Sequence, residues 1–265
     1  MKPPFKVIPP EVAAGLDRAN VRIFYYDPAT ELLFPITGWG RMLQSVLAGD
    51  PKPPFPLAHH WYQCLDRLPL RDGVVFDVGV NYGYTSAWFA KRAASVFAFE
   101  PNPKNQVYIA EHLRLRGLDN VELIPVAVSE HSGRAVLHIK GSDGQHSLAD
   151  IGASQTLRTM DVEVTSIDDF ATARGIDRLA LLKVGVEGFE ADVFRGTAGL
   201  LSRKAIASIL FEFSPTFYKQ RGIDPLAPAR LLEQYGYRLE TVHGRRIFAE
   251  QLPTDGQAEL VAFPA

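Results

Sequence analysis

GVVFDVGVNYGYT (73–85) opens with a run of β-branched and aromatic residues and closes on glycines. The segment that follows has helical spacing over roughly 84–93. A strand that ends near Asp77-Val78 and turns at once into a helix is the opening of a βαβ unit. Gly79 and Gly83 permit a tight turn and close backbone approach, and Asn81 tolerates a left-handed conformation nearly as well as glycine does. Such a loop is expected to present amide N–H groups and a positive helix end to a ligand anion.

The same alternation continues downstream. SVFAFE (95–100), VELIPVAVS (121–129), RAVLHIK (134–140), MDVEVTSI (160–167), LALLKVGV (179–186) and AIASILFEF (205–213) read as strands. Helical stretches near 103–116, 189–200 and 225–235 separate several of them. Near-continuous apolar strands alternating with helices predict an α/β fold with a mainly parallel, twisted sheet covered on both faces. The short runs YRLETV (237–242), RRIFAE (245–250) and ELVAFP (259–264) predict an antiparallel C-terminal edge. In such sheets ligands bind outside the carboxyl ends of the strands, where strand order reverses.

Residues 1–70 have a different texture, so the expected organisation is an N-terminal cap or extension, 1–70, and a main domain, 71–265. VRIFYY (21–26) and ELLFPI (31–36) flank Asp27-Pro28-Ala29-Thr30, a hairpin signature. Helices are expected near 38–48 and 56–67. Trp39, Trp61, Tyr25 and Tyr26 could line an entrance, although such aromatics more often bury an extension against its neighbour. The extension is also a candidate surface for homo-oligomerisation.

The chain has 265 residues, with 28 Lys+Arg against 30 Asp+Glu and a net charge of -2. It lacks the basic excess that nucleic acid or an anionic membrane surface would require. One cysteine, Cys64, excludes an intrachain disulfide framework and reads as a small buried filler in a reducing compartment. The N-terminus places prolines where a signal peptide has its apolar run, and no later segment has the apolar length of a membrane span, so the expectation is a cytoplasmic protein. The histidines are not spaced for a shared metal, and no metal site is expected.

Glu100 lies 21 positions after Gly79, at the end of the second strand, where an acid can accept both hydroxyls of a ribose. The loop reads D-x-G-x-N-x-G rather than G-x-G-x-x-G. Asp77 beside it would repel a pyrophosphate, but it suits a ligand that carries an ammonium as well as a carboxylate. S-adenosylmethionine has that zwitterionic end. The candidate cofactor residues are therefore Asp77, Gly79, Asn81, Gly83 and Glu100, with Pro101 and Asn102 beyond them and Val126 and Ala127 flanking an adenine.

DVGVNYGYTS (77–86), VFAFEPNP (96–103), NVELIPVAVSEHSG (120–133), VTSIDDF (164–170), LLKVGVEGFEADVFRGT (181–197) and ILFEF (209–213) follow one another in an order and spacing that resembles the FkbM-type methyltransferases. The resemblance covers roughly residues 72–240. It implies a Rossmann-like fold, S-adenosylmethionine as methyl donor, and O-methylation of a hydroxyl on a sugar, secondary metabolite or other small molecule. The family block Lys-Ile-Asp-Val-Glu-Gly stands here as Lys183-Val184-Gly185-Val186-Glu187-Gly188, so its aspartate is replaced by Gly185.

Methyl transfer from a sulfonium is an in-line displacement that must hold the acceptor and help remove its proton. Glu187 is the first candidate base, with His146 and Glu212 as competitors. Lys183 is read as orienting the acceptor or pairing with Glu187. The structural alternative for Glu187 is a cap on the helix that begins near Phe189. Asp168-Asp169 likewise reads better as a helix cap than as an acid/base pair. Two rival readings remain: a catalytically degenerate nucleoside-binding or scaffolding protein, motivated by Gly185, and a nicotinamide-dependent oxidoreductase.

Overall fold

The computed structural model describes residues 67–141, 145–152 and 154–265, together with the helix Tyr62–Leu65 (α1) and the backbone of two N-terminal strands. Those strands, β1 (Phe24–Asp27) and β2 (Leu32–Pro35), pair antiparallel with Phe24 opposite Pro35, as the hairpin signature predicts. The chain divides between His59 and His60 into two units. The expected helix near 38–48, the aromatics Trp39 and Trp61, and the side chains of Tyr25 and Tyr26 lie outside the described residues.

The second unit is built on eight strands. The first half contributes β3 (Val74–Val78), β4 (Ser95–Phe99) and β5 (Val121–Ile124). Helix α2 (Tyr84–Ala90) connects β3 to β4, and α3 (Pro103–Arg116) connects β4 to β5. Asn102 caps α3 by accepting from the Lys104 amide at 3.1 Å, and Gly117 closes it in the left-handed region with φ 61.

The chain then leaves the main sheet. Pro125 interrupts VELIPVAVS, and the residues after it form β6 (Ala127–Val128), which joins β7 (Gly133–Lys140) and β8 (Thr156–Thr165) in a separate three-stranded sheet ordered β6-β8-β7. The sequence reading had assigned these runs to the parallel sheet. Strand propensity marks these runs as strands but does not say which neighbours they pair with; the main sheet is buried on both faces, with Val75 and Phe76 both fully buried, whereas β8 alternates. Helix α4 (Ile167–Arg174) returns the chain, capped by Ser166, which accepts from the Asp169 amide at 3.0 Å.

The second half adds β9 (Leu181–Val184), α5 (Glu190–Arg195), α6 (Ala198–Ser202), β10 (Ile209–Phe213), α7 (Pro215–Gln220), α8 (Ala227–Gln234), β11 (Tyr237–Thr241), β12 (Arg246–Ile247) and β13 (Ala258–Pro264). The sheet order is β12-β11-β13-β10-β9-β3-β4-β5. Strands β3, β4, β5, β9 and β10 run parallel. The last strand, β13, inserts antiparallel between β10 and β11 rather than closing an outer hairpin; β11 and β12 form the antiparallel edge. The result is a Rossmann-like α/β sheet.

Alternation within the strands divides the sheet into two faces. Phe76, Val78, Leu182, Val184, Phe211, Phe213, Leu260 and Ala262 enter the main hydrophobic cluster. The intervening residues Asp77, Lys183, Glu212 and Glu259 therefore share the opposite face. Strand order reverses between β3 and β9, where the chain first builds β4 and β5 on one side and then β9 and β10 on the other. Among the described residues no helix is long and apolar enough to cross a membrane.

Candidate active site

The loop after β3 lies at this reversal point. Gly79, Asn81 and Gly83 have φ of 78, 55 and 86, so the two glycines and the asparagine occupy left-handed backbone as their types predict. The reason for Gly79 is internal. A Cβ built there lies 1.8 Å from the Gly185 carbonyl oxygen, so glycine is what lets the ends of β3 and β9 touch.

The loop amides are largely committed within the protein, a departure from the expectation that they would face a ligand anion. The amides of Gly79 and Val80 donate to the Phe99 carbonyl at 3.2 Å each, and that of Gly83 donates to Val80 at 3.0 Å. The Asn81 amide donates to Glu100 Oε2 at 2.8 Å. Glu100 Oε1 accepts from the Asn102 amide at 2.9 Å. Burial pushes the Glu100 carboxyl up to about 7 against the pull of these amides.

Asp77 is fully buried. Its Oδ2 accepts from the hydroxyls of Thr85 and Ser86, both at 2.6 Å, which ties the strand to the first turn of α2. Lys183, opposite it in register, approaches Oδ1 at 3.4 Å and donates to the Gly79 carbonyl at 2.9 Å. Asp77 and Lys183 thus form the brace beneath the loop. Of the two roles the sequence reading offered Lys183, orienting the acceptor or pairing with Glu187, the pairing falls to Asp77 instead.

Beside Glu100, the buried Asn102 Nδ2 and Asn105 Oδ1 have no hydrogen-bond partner. Asn105 Nδ2 reaches Asn81 Oδ1 at 3.3 Å. Pro101 and Val126 are half-buried, and Ala127 packs into the smaller sheet's core. An unmatched donor and acceptor around an acid at the end of β4 fit the hydroxyls of a nucleoside.

On the other side of the reversal point, the turn after β9 runs Gly185-Val186-Glu187-Gly188. Glu187 has φ 50 and Gly188 φ 94. The cap that the sequence offered to Glu187 is provided by Glu190, which accepts from the amides of Val186 and Gly188, both at 3.1 Å. Glu187 keeps its carboxylate free of hydrogen bonds and ion pairs among the described residues. Burial first, and then Glu212 and Glu190, push its carboxyl up to about 9, with Lys183 opposing. Glu190 is raised to about 7 by burial and Glu212. Sequence reasoning missed Glu190, although its place three residues after Glu187 at a helix start was a capping signal.

Glu212 projects from β10 toward the same turn. A Cβ on Gly185 would lie 3.5 Å from Glu212 Oε2 and 3.1 Å from Lys183 Nζ. The space left by the absent aspartate is therefore bordered by the remaining carboxylate and the lysine. His146 is placed differently: its Nδ1 accepts from the Lys140 amide at 3.1 Å. The next residue, Ser147, donates to the Glu187 carbonyl at 2.9 Å and fastens the loop to the turn. The buried Lys140 steadies the same loop through Asp150 at 2.6 Å.

Asp168 and Asp169 are structural but do not cap α4, as the sequence reading had them: Ser166 holds that place, and Asp169 accepts from the Ser132 hydroxyl. Asp168 accepts from the amides of Gly199 at 2.6 Å and Leu200 at 3.0 Å, so it caps α6. Among the described residues no group of three His, Cys, Asp or Glu side chains is arranged to hold a metal ion.

A family model described as the methyltransferase FkbM domain matches residues 77–239, which include the loop, Glu100, Lys183, Glu187 and Glu212. The chain belongs to the FkbM methyltransferase family. Among curated relatives of this FkbM chain is 2-O-methyltransferase NoeI of Sinorhizobium fredii, 28% identical over 177 residues, covering 61% of this chain and 72% of the relative. Hexuronic acid methyltransferase AglP of Haloferax volcanii is 28% identical over 165 residues, 62% of this chain and 62% of its own length, so less than two thirds of that relative is spanned. The crystal structure of methyltransferase FkbM from Methylobacillus flagellatus superposes with a TM-score of 0.48 at 15% identity, covering 75% of this chain and 45% of that one.

Proposed function

We propose that this FkbM-family enzyme uses S-adenosylmethionine to O-methylate a hydroxyl of a sugar or other small molecule, with Glu187 as the general base. The observation that carries the reading is the position of Glu187. Among the described residues it is a carboxylate without a hydrogen bond or ion pair, in the turn whose Gly185 carbonyl touches the glycine loop. The two curated relatives, named as a 2-O-methyltransferase and a hexuronic acid methyltransferase, support a hydroxyl on a glycan or small molecule as acceptor.

In this reading Glu100, Asn102 and Asn105 hold the nucleoside, and the Asp77–Lys183 brace fixes the loop that receives the amino-acid end. Bound S-adenosylmethionine supplies an electrophilic methyl group on a sulfonium and leaves as the neutral thioether. Glu187 accepts the proton that the acceptor hydroxyl loses as its oxygen bonds to carbon. The loop 145–152, fastened by Ser147, walls the acceptor side. Contact between copies is assigned to residues 1–70, with action in the cytoplasm. The family match and the methyltransferase relatives favour this reading over the degenerate and nicotinamide ones.

Calorimetric titration with S-adenosylmethionine, S-adenosylhomocysteine and reduced nicotinamide dinucleotide tests the cofactor. Binding of the two sulfur nucleosides alone is expected. A folded protein that binds neither overturns the reading. A screen of neutral, amino and uronic sugars with labelled methyl donor then identifies the acceptor.

A further inference from the structure

Glu259 lies on β13, beyond the residues matched by the family model. In the antiparallel register it stands directly opposite Glu212. Direct opposites project from the same face, with Cβ atoms ~5 Å apart, and like charges in that relation are destabilising. The two glutamates, like Glu187, have no hydrogen bond or ion pair among the described residues.

Of the described groups around Glu259, Lys183 is the one cation that opposes the charge of the pair, and it is shared with other partners. Lys183 on β9 is engaged by Asp77 and the Gly79 carbonyl. Arg67 is engaged by Glu240 and the Val242 carbonyl. Glu187, Glu190 and the Cys64 thiol of α1 are the other titratable neighbours, and the carboxylates add the same sign of charge. Ser214, one residue beyond β10 and 2% exposed, ends the strand with a hydroxyl that has no partner among the described residues. The carboxyl end of β10 thus combines an opposed acid pair, an unmatched buried hydroxyl and the empty side-chain position of Gly185. Places where a fold breaks its own pairing rules are where function is expected.

We propose that Glu259 is a positioning residue of the acceptor site: the Glu212–Glu259 pair holds one proton, which sets one hydrogen-bond donor at the carboxyl end of β10 and leaves Glu187 as the base. Two like carboxylates this close cannot both ionise at little cost, and a half-protonated pair resolves the conflict. The proposal rests on the methyltransferase reading for its role, but the proton itself is independent of it. Two carboxylates with different protonation assign acid and base by environment, which would settle the competition between Glu187 and Glu212.

The test is infrared difference spectroscopy of the carboxylic-acid carbonyl stretch at neutral pH, on wild type, Glu259→Gln, Glu212→Gln and the double variant. Each single variant is expected to lose one protonated carboxyl, and the double variant to lose no more than that one. Absence of loss in both single variants, or loss of two in the double, overturns the proposal. S-adenosylhomocysteine binding is measured on each variant as the check on folding. If Glu259→Gln does not fold, Glu212→Gln alone must still show the single loss. A folded wild type that fails to bind the nucleoside would instead sink the methyltransferase reading. With an acceptor in hand, Glu259→Gln is expected to lower kcat tenfold or more with the cofactor Kd unchanged.

Discussion

Lys183 reaches from β9 to the carbonyl of Gly79 at 2.9 Å while lying 3.4 Å from the buried Asp77 carboxylate. One side chain therefore holds the loop at the head of the sheet and neutralises the acid beneath it.

Lys183→Met should leave Asp77 buried without a cation and the Gly79 carbonyl without its donor. Loss of a charged hydrogen bond of this kind costs about 2 kcal/mol. Urea denaturation should show that loss, and calorimetry should show at least tenfold weaker S-adenosylhomocysteine binding. A variant with parental stability and affinity would refute the brace.

Glu187 and Glu190 lie three residues apart but should separate cleanly on substitution. Glu190→Gln weakens the acceptor of two backbone amides, and stability should fall by about 1 to 2 kcal/mol. Glu187→Gln, whose carboxylate accepts no hydrogen bond, should keep its stability and lose turnover by about a hundredfold or more. Because Glu187 must be ionised to act as a base and its carboxyl is pushed up to about 9, kcat should rise with pH and level off near 9. A flat profile from pH 6 to 9 in single-turnover measurements would remove it from that role.

Two glycines that touch each other should respond unequally. Gly79→Ala puts a methyl group 1.8 Å from the Gly185 oxygen at φ 78 and should cost about 3 kcal/mol or more. Gly185→Ala meets its nearest neighbour, Lys183 Nζ, at 3.1 Å in ordinary backbone, where a small shift of one side chain suffices, and should stay within about 1 kcal/mol of the parent. Comparing the two unfolding midpoints checks the ordering.

His112 is fully buried in α3 against the loop, and burial holds its imidazole down to about 4. Its unfolded value is near 6.5, so the unfolded chain binds the extra proton first as pH falls. Stability from this residue is full above about 6.5 and is lost toward 4, by on the order of 3 kcal/mol. Glu100 and Glu190 run the other way: with folded values of about 7, their contribution is present below 4.5 and is lost as pH rises through 7. Denaturant titrations at pH 7 and pH 4 should show a smaller acid loss for His112→Leu than for the parent.

The helix boundaries around the cofactor loop, the left-handed Asn81 and the hairpin at Asp27-Pro28 were legible because each is written in local residue types. The helix start near Asp168-Asp169 was legible too, but not that Ser166 caps it while Asp168 caps α6. The partnership of Lys183 with Asp77 was not legible. It depends on β9 lying beside β3, a neighbour relation between residues more than a hundred positions apart.

The same limit explains the other surprises. The sequence by itself determined a parallel α/β sheet, a glycine turn after its first strand and the acids available to a methyltransferase. Backbone preference, side-chain periodicity and the order of the motifs carry that much. Only the tertiary structure decided that β7 and β8 leave the main sheet, that Gly79 makes room for Gly185, and that Glu190 takes the cap and frees Glu187. It also decided that β13 enters antiparallel and sets Glu259 against Glu212. Contacts between strands distant in the chain are chosen by how whole faces pack and pair, and no local pattern records the choice.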